Sequence, residues 1–147
     1  MKSENAKFKM ECPSFAWIIL LVLGCVDIVR GIMHTIMLPY AAENIMGLDL
    51  SVARDDQLLL LGTFGISNYI TGILYILIAF KARNIVPYIF LVIPSSYAFG
   101  AIFISTVANS TSKLGGLPLM IGYFIVCIGT FVAVIVWNVV KRKRNMV

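Results

Sequence analysis

Residues 15–38 read FAWIILLVLGCVDIVRGIMHTIML, 24 positions that are apolar except for Asp27, Arg30, His34 and Thr35. A helix needs about 20 mostly apolar residues to cross the hydrocarbon core of a bilayer. The run is long enough, and no other common use of so long an apolar segment fits it. Working outward, three further stretches qualify on the same criterion: 58–80, 85–107 and 117–139. Between them lie an outer loop at 39–57, a turn of four residues at 81–84 and a loop at 108–116. A backbone surrounded by lipid must satisfy its own hydrogen bonds, so these runs are read as helices. The expectation is an all-α integral membrane protein: a single transmembrane domain over 1–147, built as a four-helix bundle.

Composition agrees. Of the 147 residues, 60% are hydrophobic and 13% charged, and the mean hydropathy is +0.93. Soluble domains average about 45–50% apolar and 25% charged residues. Cys12, Cys25 and Cys127 have neither CxxC nor metal-ligand spacing, which argues against a disulfide framework or a thiol metal site. No cofactor-binding motif is present, and no cofactor is expected.

The charges give direction. Lys2, Lys7, Lys9, Lys81, Arg83, Lys141, Arg142, Lys143 and Arg144 all flank the spans on one side. The other side carries Arg54 and Lys113 beside Glu43, Asp49, Asp55 and Asp56. Positive residues in short loops stay cytoplasmic, so both termini are expected there, with the plasma membrane as the most natural location. The same bias accounts for the net charge of +5. The basic tail at 140–147 reads as a stop-transfer anchor beside lipid headgroups, and no nucleic-acid partner is expected. Val22-Leu23-Gly24-Cys25 loosely resembles a lipobox. The apolar run continues past it, so it is read as part of the first helix, with no cleaved signal. Asn109-Ser110-Thr111 is a glycosylation sequon in a loop too close to the membrane for modification to be expected.

Local signals refine the helices. Ser51 is placed to cap the second helix, with Asp55 and Asp56 in its first turns where the dipole favours negative charge. Pro94 lies mid-span in the third helix and leaves a carbonyl without its donor. Pro118 suits a first turn. Gly65, Gly72, Gly122, Gly129 and Ala133 have the spacing of close helix contacts. Trp17 and Trp137 sit near span ends, as interfacial anchors do.

The polar residues inside the spans carry the functional information. Asp27, Arg30 and His34 fall within about 60° of one another on the first helix, given 3.6 residues per turn. Each charge near the bilayer centre costs on the order of 2.5–3.5 kcal/mol, so this stripe is expected to face the bundle interior. In the second span, Asn68 with Ser67, Thr71 and Tyr75 forms another polar face. In the third, Ser95, Ser96 and Tyr97 follow Pro94 at similar depth. The expected site is therefore a polar pocket near the midplane, lined by the first three helices, with Asp27, Arg30, His34, Asn68, Thr71, Ser95, Ser96 and Tyr97 as its residues.

Three functions suit such a pocket. One is binding or transport of a small polar or anionic ligand, or of protons, with Asp27 as the proton-responsive group and Arg30 holding the ligand. A second is a non-catalytic subunit of a larger membrane complex or a homo-oligomer, with Asp27–Arg30 as a packing pair. The third, a membrane enzyme acting on a lipid-like substrate, ranks last because no HExxH, GxSxG, CxxC or phosphate-binding loop is present. Small four-helix multidrug transporters also carry a carboxylate in the first helix. Their motifs are not matched here, and the charge bias opposes dual topology.

Overall fold

The computed structural model describes residues 10–107 and 117–145. Lys2, Lys7, Lys9, Lys113 and the sequon at 109–111 lie outside them. The protein is all-helical, with no strand among the described residues. Four helices are long and apolar enough to cross a membrane: α1 (Ser14–Met33), α2 (Arg54–Lys81), α3 (Val86–Val107) and α4 (Leu117–Arg144).

Three boundaries differ from those read in the sequence, each for a local reason. α1 stops at Met33 rather than running to residue 38. The His34 N–H still reaches the Arg30 carbonyl at 2.9 Å, but the next three N–H groups converge on the Ile32 carbonyl, at 2.9–3.3 Å. The Thr35 hydroxyl donates to the Gly31 carbonyl at 2.7 Å, a local bond that competes with the helical ladder. Pro39 then brings no N–H to continue it. A single helical turn, Leu38–Tyr40, leads into a π-helical segment, Ala41–Ile45, whose Ala41 and Ala42 are fully buried. Gly47, at φ 66°, closes that segment in the left-handed region and lets the Leu48 N–H reach the Ala42 carbonyl at 2.9 Å.

The second difference is the start of α2. Its N-cap is Ala53, in left-handed conformation with no side-chain cap; Ser51 does not cap it. The Ser51 N–H donates instead to the Asp49 carboxylate at 2.9 Å, and the Ser51 hydroxyl, followed by this N–H, holds that carboxyl below its ordinary range. The Gln57 amide reaches back to the Asp49 and Val52 carbonyls at 2.9 and 2.7 Å. Asp55 and Asp56 do lie in the first turn. Third, α4 continues through the basic run to Arg144 instead of ending at residue 139. At 28 residues each and 1.5 Å per residue, α2 and α4 exceed a hydrocarbon core of about 30 Å. α3 is continuous through Pro94, and Pro118 falls in the first turn of α4.

α1 packs chiefly against α2, and α3 against α4, while α1 touches all three of the others. Its contact with α2 is antiparallel and close. A Cβ on Gly24 would sit 2.9 Å from the Gly72 carbonyl oxygen, and one on Gly72 would sit 2.7 Å from that of Gly24. Gly65 lies against the His34 carbonyl in the same way, and Gly31 against the Tyr69 ring. The glycines and alanine of α4 behave differently. Nothing lies within 4 Å of a Cβ placed on Gly122 or Gly129, and both, with Ala133, face outward.

The apolar core lies between α1, α3 and α4: Ala16, Leu20, Leu23, Val86, Phe90, Ile93, Cys127 and Val134. At its end of the bundle the Arg83 guanidinium stacks on Trp17 at 4.3 Å and the Lys141 ammonium lies 5.0 Å from the Trp137 ring. Asn138 clamps the entering chain there, accepting from the Glu11 N–H at 2.9 Å and donating to the Glu11 carbonyl at 3.0 Å. Lys141 pairs with the Glu11 carboxylate. The described cations Lys81, Arg83 and Lys141–Arg144 thus gather at this one end.

The glycine contacts make a quantitative contrast. Gly72→Ala is expected to lower the unfolding free energy in micelles by about 1–3 kcal/mol through overpacking. Gly129→Ala, on an open face, is expected to change it by less than about 0.5 kcal/mol. Steric-trapping unfolding of the two variants measures both, and equal effects would mean that the α1–α2 contact is not the tight one.

Candidate functional site

Asp27 lies where all four helices converge and is 4% exposed. Its carboxyl group receives hydrogen bonds from three helices. Arg30, one turn further along α1, donates from Nη1 to Oδ1 at 3.3 Å. Tyr123 of α4 donates its hydroxyl to Oδ2 at 3.1 Å. The Thr71 hydroxyl of α2 lies 3.5 Å from Oδ2, but it is nearer the Ser67 and Asn68 carbonyls, both at 3.1 Å. Its single proton therefore goes mainly to its own helix, and Tyr123 is the stronger partner from outside α1.

The Arg30–Asp27 pair is loose. Charge-assisted N–H···O bonds run at about 2.7–2.9 Å and, for arginine, are often two-pronged; this one is single and 3.3 Å long. A guanidinium has five N–H donors, and among the described residues only the Nη1 group has an acceptor. The guanidinium also lies 5.8 Å from the Phe64 ring.

Beside this pair is a cavity of about 80 Å³, lined by Asp27, Arg30, Phe64, Ser67, Asn68, Thr71, Tyr75, Ile93, Tyr97 and Tyr123. It has room for several waters and falls well short of the roughly 300–1,000 Å³ that encloses drug-sized molecules. Its two formal charges cancel, and its other polar groups are hydroxyls and one amide.

Five of the residues singled out in the sequence line this cavity: Asp27, Arg30, Asn68, Thr71 and Tyr97. His34 stands beside it. It is buried, its Nδ1 lies 3.4 Å from the Asn68 amide nitrogen, and its ring is 5.7 Å from Phe64. It therefore meets the cavity through Asn68 rather than directly. Ser95 and Ser96 are exposed on α3 and are not among the lining residues. Tyr97 is also exposed, at 36%, but its longer side chain reaches the cavity wall, where its ring meets Phe124 at 5.1 Å.

Sequence reasoning placed the pocket among the first three helices, whereas α4 also contributes, through Tyr123. A tyrosine near a helix end reads as an interfacial anchor. The signal that reveals it is antiparallel register: Glu11 pairs with Asn138, and the same offset puts residue 123 level with Asp27. Ser67 and Tyr75 share the polar face of α2 with Asn68. Phe64 and Ile93 are apolar lining that no polar pattern marks.

The surroundings are asymmetric. Between Asp27 and the basic end stands the apolar core, including Leu20, Leu23, Phe90, Ile93 and Cys127. Toward the opposite end lie Arg30, Asn68 and His34. Among the described residues no three His, Cys, Asp or Glu side chains gather as metal ligands do.

The Tyr123 bond is testable by a double-mutant cycle. Tyr123→Phe removes a donor to a buried carboxyl and is expected to cost about 1.5–3 kcal/mol in the native background, falling to about 1 kcal/mol or less with Asp27→Asn. Unfolding free energies of the four proteins decide it; strictly additive effects would mean that Tyr123 acts through packing alone.

No protein-family model, curated protein or solved structure matches this chain at a significant level.

Proposed function

We propose that this chain is a four-span protein of the cell membrane, with both termini cytoplasmic, that binds a small polar or anionic ligand at Asp27 and Arg30 and passes it, or protons, across the bilayer. The carrying observation is the loose ion pair at the wall of a polar cavity: Arg30, its side chain 17% exposed, makes a single long bond to Asp27 and turns its other donors to accessible space rather than to a protein acceptor. A pair serving packing alone would gain from closing into the short two-pronged form, because unsatisfied polar groups in lipid are costly. The cavity volume favours small species over drug-sized ones.

The topology rests on the cations gathered at one end of the bundle, which the positive-inside rule assigns to the cytoplasm. The broadly exposed apolar side chains elsewhere, among them Val22, Val29, Leu60, Ile70, Ile104 and Ile125, then face lipid. With that orientation the apolar core seals the cytoplasmic side of Asp27, and the side bearing Asn68 and His34 is outer.

The outward glycine face of α4 favours a second reading, a subunit of a larger membrane complex or a homo-oligomer. Small residues left open on a helix are where another helix approaches closely.

Native mass spectrometry of the protein extracted gently from its own membranes separates the two. The expected result is a reproducible small adduct that is lost in Arg30→Ala. Stoichiometric protein partners with no adduct would overturn the ligand reading in favour of the subunit.

A further inference from the structure

The charge count and shape of the Asp27 cavity narrow the chemistry of its ligand. We infer that the site takes up a small planar monovalent oxyanion together with one proton, the anion on Arg30 and the proton on Asp27. The inference rests on reading the cavity as a ligand site.

Neutrality is the first ground. Asp27 and Arg30 supply the only formal charges among the lining residues, and they cancel. A monoanion placed on Arg30 would leave one net negative charge in a low-dielectric interior, where unpaired charge is strongly disfavoured. A proton on Asp27 restores neutrality and frees the guanidinium from its partner. The protonated carboxyl also becomes a donor toward the arriving oxygen.

Geometry is the second ground. The guanidinium fork matches planar oxyanions through two parallel N–H···O bonds, and Arg30 now spends one nitrogen on Asp27 at 3.3 Å. Ser67, Asn68, Tyr75 and Tyr97 line the same space and provide hydroxyl and amide donors for the remaining oxygens. A cavity of about 80 Å³ has room for an ion of a few non-hydrogen atoms, such as formate or nitrate.

The proton has one natural place. The groups facing Asp27 are Arg30 from α1, Tyr75 from α2, Tyr97 from α3, and Tyr123 with Cys127 from α4. Of Asp27 and these groups the ionised carboxylate alone is purely an acceptor, which leaves it to take the proton. The imidazole of His34 faces Asn68 rather than the carboxyl.

The test is calorimetric titration of sodium formate into the purified chain in nanodiscs, in buffers of different ionisation heat. The expected result is one proton taken up per formate and an affinity that rises about tenfold for each unit fall in pH above the carboxyl's own titration. Asp27→Asn is expected to bind formate with no proton uptake and no pH dependence. Arg30→Lys should weaken binding at least about tenfold, and nitrate should displace formate where chloride does so poorly. Should Arg30→Lys fail to fold, the neutral pair Asp27→Asn with Arg30→Gln replaces it and should not bind. Chloride competing as well as nitrate would overturn the planar geometry. Proton uptake that survives in Asp27→Asn and disappears in His34→Gln would overturn the assignment to Asp27. If neither formate nor nitrate binds while the native adduct still depends on Arg30, the inference fails and the ligand site stands. If no adduct appears either, both fail.

Discussion

A carboxyl group at the convergence of four apolar helices has to be compensated from within the bundle, and most of what is specific in this structure follows from how that is done. Asp27 draws Arg30 from its own helix, Tyr123 from α4 and, at longer range, Thr71 from α2. Those partners fix the rotation of α1, because turning the stripe toward lipid would strand two charges at a cost of several kcal/mol. They also set the depth at which the antiparallel neighbours stop sliding. Phe90, Leu20 and Cys127 then close the space on one side, so the polar and apolar halves of the interior are consequences of one buried group.

That group is held tightly on one side and loosely on the other. Between α1 and α2 the backbones touch through Gly24 and Gly72, leaving no room for side chains larger than hydrogen at the crossing. The same pair is in contact again where Gly65 meets the His34 carbonyl, and Phe64, Asn68 and Tyr75 of α2 reach the cavity wall beside this seam. Small residues at the crossing thus set the distance at which larger polar ones face each other.

The fold was legible because length and hydropathy report on the medium around a helix, and four such runs leave little choice. The charged stripe was legible for a related reason: Asp27, Arg30 and His34 share a face whatever the tertiary arrangement. What the sequence concealed depends on contacts between helices. Tyr123 looks like an interfacial residue until register puts it beside Asp27. Ser95 and Ser96 look like pocket residues, but α3 leaves the whole run exposed and only the long Tyr97 side chain reaches the cavity wall. Gly122 and Gly129 have the spacing of Gly65 and Gly72, yet one set is buried against α1 and the other is open. The early end of α1 and the uncapped start of α2 are decided by single hydrogen bonds, from Thr35 and to Asp49, that propensity does not weigh.

The quality of the ion pair bears on what the site is for. Desolvating both ions is repaid only when geometry is good and the remaining donors are satisfied. Arg30 fails the first condition, since its bond is long and single, and its other N–H groups, none of them a buried atom without a partner among the described residues, open to accessible space instead of a protein acceptor. In the same interior, Asn138 makes three well-formed bonds at 2.8–3.0 Å, so the fold is able to satisfy a buried polar group where satisfaction is all that is required. The contrast between the saturated Asn138 and the half-used Arg30 is the physical ground for treating the first as structural and the second as a site left open for something else.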